Sequence, residues 1–377
     1  MNSHLRIIQV ANVRWFNATA WYALSLADAL AGAGHRVLTL VLPGTDSEAR
    51  AADMGLDTLA LPLNSANPVL LARTTARLAA LTRAFKPHIV NCHRGESVFL
   101  WGLLKRSGAG FHLVRTRGDQ RPPKGNAANR YLHGRLVDAL IATNSRTACQ
   151  CREILGLPQA KVHLVPGGVD PRRFFPDPEA RRRLRRVLGF HEQDFVLGLL
   201  GRFDYVKGQR ELMEAIHAAL ALAERKSPAS RLRLMLMGFP TSLPQVTVEA
   251  WIRDYGLSDR TVITGKVDDV NGYINVMDAG VIASQGSEAI ARAALEIMAC
   301  GVPLLGTDVG VMPDLLEADA LVPAGDKEAL AALLFRVADD AAFRSRLLEA
   351  QQKRMPALTR EAFLEQSLKV YRNLIGP

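Results

Sequence analysis

Two doubly wound α/β domains, each on its own parallel sheet, are the fold that this 377-residue sequence predicts. Short strand-like runs alternate with long helical patterns, the signature of a parallel sheet with crossover helices. The alternation breaks once, over residues 166–192, in a stretch dense in Pro, Gly and charge that reads as a linker. The chain is also too long for one hydrophobic core and long enough for two. The expected domains cover residues 1–170 and 190–358, followed by a last helix over about 360–377.

The first half supplies the runs LRIIQV (5–10), RVLTLVL (36–42), HIVNC (88–92), FHLVRT (111–116), ALIATN (139–144) and KVHLVP (161–166). After PGGVDPRRFFPDPEARRRLRR the pattern restarts with FVLGLL (195–200), LRLMLMG (232–238), TVITG (261–265), DAGVIAS (278–284) and VPLLGT (302–307). Such β-branched and Leu-rich runs fit strands covered on both faces, and ligands of these sheets bind at the carboxyl ends of the strands. The arginine cluster Arg181, Arg182, Arg183, Arg185 and Arg186 reads as a solvated helix face. At the end of the chain Leu364, Leu368, Tyr371 and Ile375 fall at helical spacing along one face.

Composition bounds the class. With 48% hydrophobic and 22% charged residues the chain is globular, and no apolar run reaches the roughly 18 to 20 residues of a membrane span. MNSHLRIIQV lacks the pattern of a signal peptide, so a cytoplasmic protein is expected. Cys92, Cys149, Cys151 and Cys300 show no metal-ligand spacing. The net charge of +10 is uneven: residues 1–180 hold 22 Lys and Arg against 12 acids, leaving 25 against 25 for the remainder. An anionic small molecule, an anionic membrane face or nucleic acid would suit that first half. No finger, RNP-like string or basic zipper supports nucleic acid. No G-x-G-x-x-G follows an opening strand, which argues against a dinucleotide oxidoreductase.

Two stretches carry chemistry. In VLGLLGRFDYVKGQRELMEAI a buried strand gives way to Gly201, Arg202, a short loop, Lys207, Gly208 and a helix. A diphosphate there would meet backbone donors, the helix dipole, a bidentate guanidinium and an ammonium; an exposed turn that happens to be cationic is the plainer alternative. In SQGSEAIARAALEIMACGVP (284–303), Ser287 can cap a helix that Gly301 and Pro303 end. That helix is apolar nearly all round apart from Glu288, Arg292 and Glu296 at four-residue spacing. Buried carboxylates need partners or a wet cavity, so the stripe reads either as a ligand site or as a ladder of ion pairs.

GRFDYVKG, the pair Glu288 and Glu296, LEIMACGVPLLGTDVG and VPGGVD together resemble the retaining glycosyltransferases of family 4, in an order and spacing that span most of the chain. The resemblance implies the GT-B fold: two Rossmann-like domains about an interdomain cleft, with the last helix returning to the N-terminal domain. It places Arg202 and Lys207 on the donor diphosphate, Glu296 on the ribose hydroxyls and Glu288 facing the donor sugar. Ala289, Ile290 and Ala291 fall where the family commonly has glycine, so the backbone contacts to the sugar differ here. Gly265, Lys266 and Val267 would lie beside the base. Asn17 replaces a Gly-Gly loop near the donor phosphate, with a helix-cap role as its alternative. His93, just after a strand, would stand near the reacting sugar or serve structurally. Together with Arg202, Lys207 and Glu288 it makes up the expected catalytic set. Arg115, Arg117, Asp119, Arg121 and Lys124, in a broken basic run, are the candidates for an anionic acceptor. No metal and no cofactor are expected. The implied partners are a nucleotide-sugar and an anionic glycolipid or glycan of envelope-polysaccharide or lipopolysaccharide biosynthesis, at the membrane face if the acceptor is lipid-borne. A hydrolysing nucleotide-sugar epimerase of the same fold and a non-enzymatic anionic-polymer-binding protein are the alternatives.

Overall fold

The structure, a computed structural model, describes residues 4–119, 121–223, 227–286 and 288–376. It divides into two compact units, Met1–Gly167 with Arg360–Pro377, and Gly168–Thr359.

The first unit is built on seven parallel strands: β1 (Arg6–Ala11), β2 (Arg36–Val41), β3 (Thr58–Ala60), β4 (Ile89–Cys92), β5 (His112–Arg117), β6 (Ala139–Ala142) and β7 (Val162–Leu164), in the order β3-β2-β1-β4-β5-β6-β7. Register is set from the centre outward, with Ile7 opposite both Val37 and Ile89. One face of the sheet packs Ile8, Val10, Leu40, Val90 and Leu113 against Trp101 and Leu104. On the other, Ala11 and Val41 meet Ala23 and Leu24 of the helix Ala18–Gly32. The helix Arg360–Ile375 completes this unit: the Phe363 ring stands edge-on to Tyr22 at 4.6 Å, and Arg360 pairs with Asp28 at 2.7 Å.

The second unit has six parallel strands: β8 (Phe195–Leu200), β9 (Leu232–Met237), β10 (Thr261–Ile263), β11 (Ala279–Ile282), β12 (Leu304–Thr307) and β13 (Leu321–Val322), in the order β10-β9-β8-β11-β12-β13. Close backbone approach demands glycine at Gly238, where a Cβ would stand 1.9 Å from the Gly201 carbonyl oxygen.

Three local expectations are corrected. Residues 166–192 are not a bare linker, because Pro178–Val187 is a helix capped by Asp177 and belongs to the second unit. Arg181 donates to the carbonyls of Asn275, Val276 and Met277 and pairs with Asp278, while Arg185 donates to Val276, His191 and Asp194. Two of the cluster's arginines thus satisfy the orphan carbonyls that end the helix Val270–Val276 instead of facing solvent. The helix after β11 runs only over Arg292–Ala299, because Ala291 takes a left-handed conformation (φ 49°, ψ 55°) that no helical turn can include. Ser287, its expected cap, lies outside the described residues.

Candidate functional site

In the second unit the chain leaves β8 toward β9 and β10 on one side and later fills β11, β12 and β13 on the other, so the loops after β8 and β11 flank the topological switch point. The loop after β8 is stiff. Asp204 accepts from the Val206 N–H, a short 3₁₀ turn covers Tyr205–Lys207, and Gly208 (φ 71°) turns the chain into the helix Gln209–Leu222. The two loops are joined by a hydrogen bond from the Gln285 N–H to the Val206 carbonyl at 2.8 Å.

This scaffold brings Lys207 and Glu288 together. The ammonium pairs with Glu288 Oε1, which also accepts from the Ser284 hydroxyl at 2.5 Å. The Glu288 carbonyl accepts from the Val311 N–H at 2.8 Å, and the Thr307 hydroxyl donates to the Ser284 carbonyl at 2.5 Å. Glu288 is buried, and its pairing fixes Lys207 beside the start of a fourteen-residue helix. An ammonium has three protons and this one uses one on Glu288 Oε1. Arg202 is about half exposed, 3.6 Å from Asp204, and its carbonyl accepts from Gln209 at 2.8 Å. The result is a fixed ammonium and a solvent-facing guanidinium at a helix N-terminus, a combination of charges and dipole that favours an anion.

Glu288 therefore is not on a helical stripe. It precedes the helix and turns to Lys207, whereas Arg292 and Glu296 form the i,i+4 pair at 2.6 Å. Burial raises the Glu296 pKa, opposed by Arg292 and by the charge of Arg173. Ile290 and Ala291 are buried and Ala289 half-buried. Gly265 (φ 68°), exposed Lys266 and Val267 follow β10, an edge strand two places from β8.

In the first unit the switch point lies between β1 and β4. His93 follows β4 and is fully buried. Its Nε2 meets Gln9 Oε1 at 2.7 Å; the Gln9 and Asn91 amides both donate to the Tyr371 hydroxyl, at 3.2 and 2.9 Å, and Thr116 donates to Asn91 at 2.9 Å. Since the Gln9 amide nitrogen is committed to Tyr371, its oxygen faces His93, and Nε2 carries the imidazole proton. Nδ1 is left buried as an acceptor without a partner among the described residues. Burial first, and the charge of Arg115 second, push the His93 pKa down to about 3. The ring is neutral near pH 7, suited to accept a hydrogen bond rather than to donate a proton. Sequence reasoning missed Gln9, Asn91 and Tyr371; the available signal was a carboxamide within each of two otherwise apolar strands.

Of the expected acceptor residues, Arg115 is corrected to an interior position. It is 1% exposed and donates to the carbonyls of Cys92 and Thr116 and, at 3.1 Å, to Asp119. Asp119 lies further from Arg117, at 3.8 Å, and from Arg94, at 3.9 Å. Arg117 also donates to the Arg121 carbonyl. Arg121 and Lys124 are exposed. Asn17 caps the helix Ala18–Gly32, accepting from the Ala20 N–H at 3.1 Å, which was its structural alternative.

Two parallel-sheet units with a cation pair at a switch point define an enzyme of the GT-B glycosyltransferase class. The model for "Glycosyltransferase Family 4" matches residues 19–173 and that for "Glycosyl transferases group 1" matches 194–340. The chain belongs to the glycosyltransferases of family 4. It is 27% identical, over 82% of its length and 76% of the relative's, to 2-deoxystreptamine N-acetyl-D-glucosaminyltransferase of Streptomyces fradiae. It is also 27% identical, over 64% and 67%, to the lipopolysaccharide core biosynthesis mannosyltransferase LpsB of Rhizobium meliloti. Among solved structures, Anabaena HepE in complex with UDP and glucose superposes with a TM-score of 0.80 at 17% identity, covering 97% of this chain and 99% of that one.

Proposed function

We propose that this glycosyltransferase transfers a sugar, with retention and without a metal, from a nucleoside-diphosphate donor held by the second unit to a cell-envelope glycan or glycolipid, in lipopolysaccharide or related polysaccharide biosynthesis. The observation that carries the donor half is Lys207, fixed by buried Glu288 beside exposed Arg202 at a helix N-terminus. As the anomeric C–O bond breaks, negative charge grows on the departing diphosphate, and donors already in place stabilise it without reorganising. Lys207 and Arg202 do the neutralising that a divalent cation does elsewhere, Glu288 positions Lys207, and Glu296 takes the ribose hydroxyls.

The name of LpsB and the UDP and glucose in the HepE complex support this choice of donor and product class. No described helix is long and apolar enough to cross a membrane, so a lipid-borne acceptor would be met peripherally. A thermal-shift screen of nucleotide-sugars tests the donor: a ligand at about a hundredfold its Kd adds about 2.7 kcal/mol. Turnover is then measured with and without EDTA on the donor that shifts. Failure of every nucleotide-sugar to stabilise the protein, or activity lost to EDTA and restored by manganese, would overturn the reading. Release of free sugar without an acceptor would point to the hydrolysing alternative.

A further inference from the structure

In the first unit an open groove of about 570 Å³ runs between the helices Pro68–Phe85 and Val98–Arg106. Leu71, Ala72 and Ala76 line one wall, Phe99, Leu100 and Leu103 the other. Its size is that of a ligand pocket, yet its lining is apolar and it opens to solvent. Phe99 and Leu103, one turn apart, are 56% and 43% exposed, while Leu100, Trp101 and Leu104 of the same helix fill the core. A helix apolar on both faces belongs inside an apolar medium, and here one face has none.

The two groove helices carry charge of one sign. Between Thr58 and Phe111 the sequence holds Arg73, Arg77, Arg83, Lys86, Arg94, Lys105 and Arg106 against the single acid Glu96; Arg94 pairs with Glu96 at 2.6 Å and Lys105 with Asp138 at 2.5 Å, while Arg73, Arg77 and Arg83 of the first groove helix are exposed. Neither groove helix contains an acid. Arg73 and Arg77 are exposed, one residue along from Ala72 and Ala76. Both helices follow strands of a parallel sheet, so each starts at the carboxyl end of that sheet, the end at which His93 and Arg94 lie.

We infer that this groove docks the acyl chains of an anionic phospholipid surface, with Arg73 and Arg77 on the headgroups. Apolar insertion combined with basic residues is the two-signal requirement for stable peripheral attachment. The inference rests on the proposal that the acceptor is lipid-borne, and it places the acceptor's tail at the end of the sheet that carries the basic loops.

The full-length protein is sedimented with vesicles of phosphatidylglycerol or of phosphatidylcholine, without donor. Binding is expected only to phosphatidylglycerol and should fall with salt. Arg73→Gln with Arg77→Gln should weaken it by about 25-fold, from roughly fivefold per basic residue. Phe99→Ser with Leu103→Ser should weaken it at least tenfold at unchanged melting temperature; if that pair fails to fold, Phe99→Ser alone must still weaken it. Equal binding to both vesicles, binding to neither, or wild-type binding by the serine variants would overturn the inference. So would self-association abolished by those variants, which would identify a second copy as the occupant. A protein that is stabilised by a nucleotide-sugar but ignores vesicles would refute this docking surface alone, leaving the donor reading intact.

Discussion

Replacing Lys207 by Ala affects two quantities that a surface lysine would not couple. The catalytic loss follows from removing one preorganised donor at the departing diphosphate, worth about two to three orders of magnitude in kcat. The stability loss follows from the partner. Glu288 keeps 7% of its side-chain area exposed and Lys207 23%, so the deletion takes the ammonium away from a buried carboxylate that also accepts from the Ser284 hydroxyl. Breaking a fully buried pair costs about 3 to 5 kcal/mol. The partial exposure of Lys207 lowers that to about 2 to 3 kcal/mol here. In a unit of this size such a loss moves Tm down by about 5 to 10 °C. The double variant Lys207→Met with Glu288→Gln removes the stranded charge and should recover most of the stability while staying as inactive as Lys207→Ala. Differential scanning fluorimetry and steady-state turnover on wild type, Lys207→Ala and the double variant separate the two effects. A Lys207→Ala protein as stable as wild type, or a double variant that regains activity with its stability, would refute the assignment of Glu288 as the partner that positions Lys207.

Three further outcomes are expected. Because His93 titrates near 3 in the folded protein against an ordinary 6.5, its contribution is complete above pH 6.5 and is lost as pH falls toward 3. Wild type should therefore lose about 2 kcal/mol more than His93→Gln between pH 7 and 5, read from urea unfolding at both pH values, and an equal loss would refute the buried neutral ring. Gly208→Ala puts a Cβ 1.9 Å from the Ala283 carbonyl oxygen at φ 71°, so it should destabilise by about 2 kcal/mol or more and raise the donor KM, checked by thermal unfolding and kinetics. Glu296→Gln should weaken nucleotide affinity by about tenfold through loss of charge assistance. Titration calorimetry checks this, and unchanged affinity would leave Glu296 with only its Arg292 pair.

The sheets were legible because their strands are covered on both faces and read as apolar runs, and every run singled out overlaps one of the strands of the structure, two of them ending one residue short. The two strands that escaped, Thr58–Ala60 and Leu321–Val322, are edge strands of three and two residues, too short to show a pattern. Arg202 and Lys207 were legible because cations between a strand and a helix stand out. The surroundings of Glu288 were not, because a four-residue spacing implies a shared helical face, and only the left-handed turn at Ala291 reveals that Glu288 lies outside the helix. Arg115 illustrates a second limit. Sequence marks a guanidinium as a surface group, yet the carbonyls of Cys92 and Thr116 provide it with an interior berth.

The hydroxyl of Tyr371 that receives the Gln9 and Asn91 amides has a consequence for biosynthesis. Gln9 and Tyr371 are 362 positions apart in the chain, and the whole second unit, residues 168–359, is made between the body of the first unit and its closing helix. At about 5 to 20 residues per second, that interval lasts on the order of 10 to 40 s. During it, two amides on the sheet of the first unit lack their hydroxyl partner and the ring of Tyr22 lacks Phe363. The second unit can finish folding first, although it is translated later. A nascent chain stalled before residue 360 should accordingly carry a protease-resistant second unit and a still-susceptible first one.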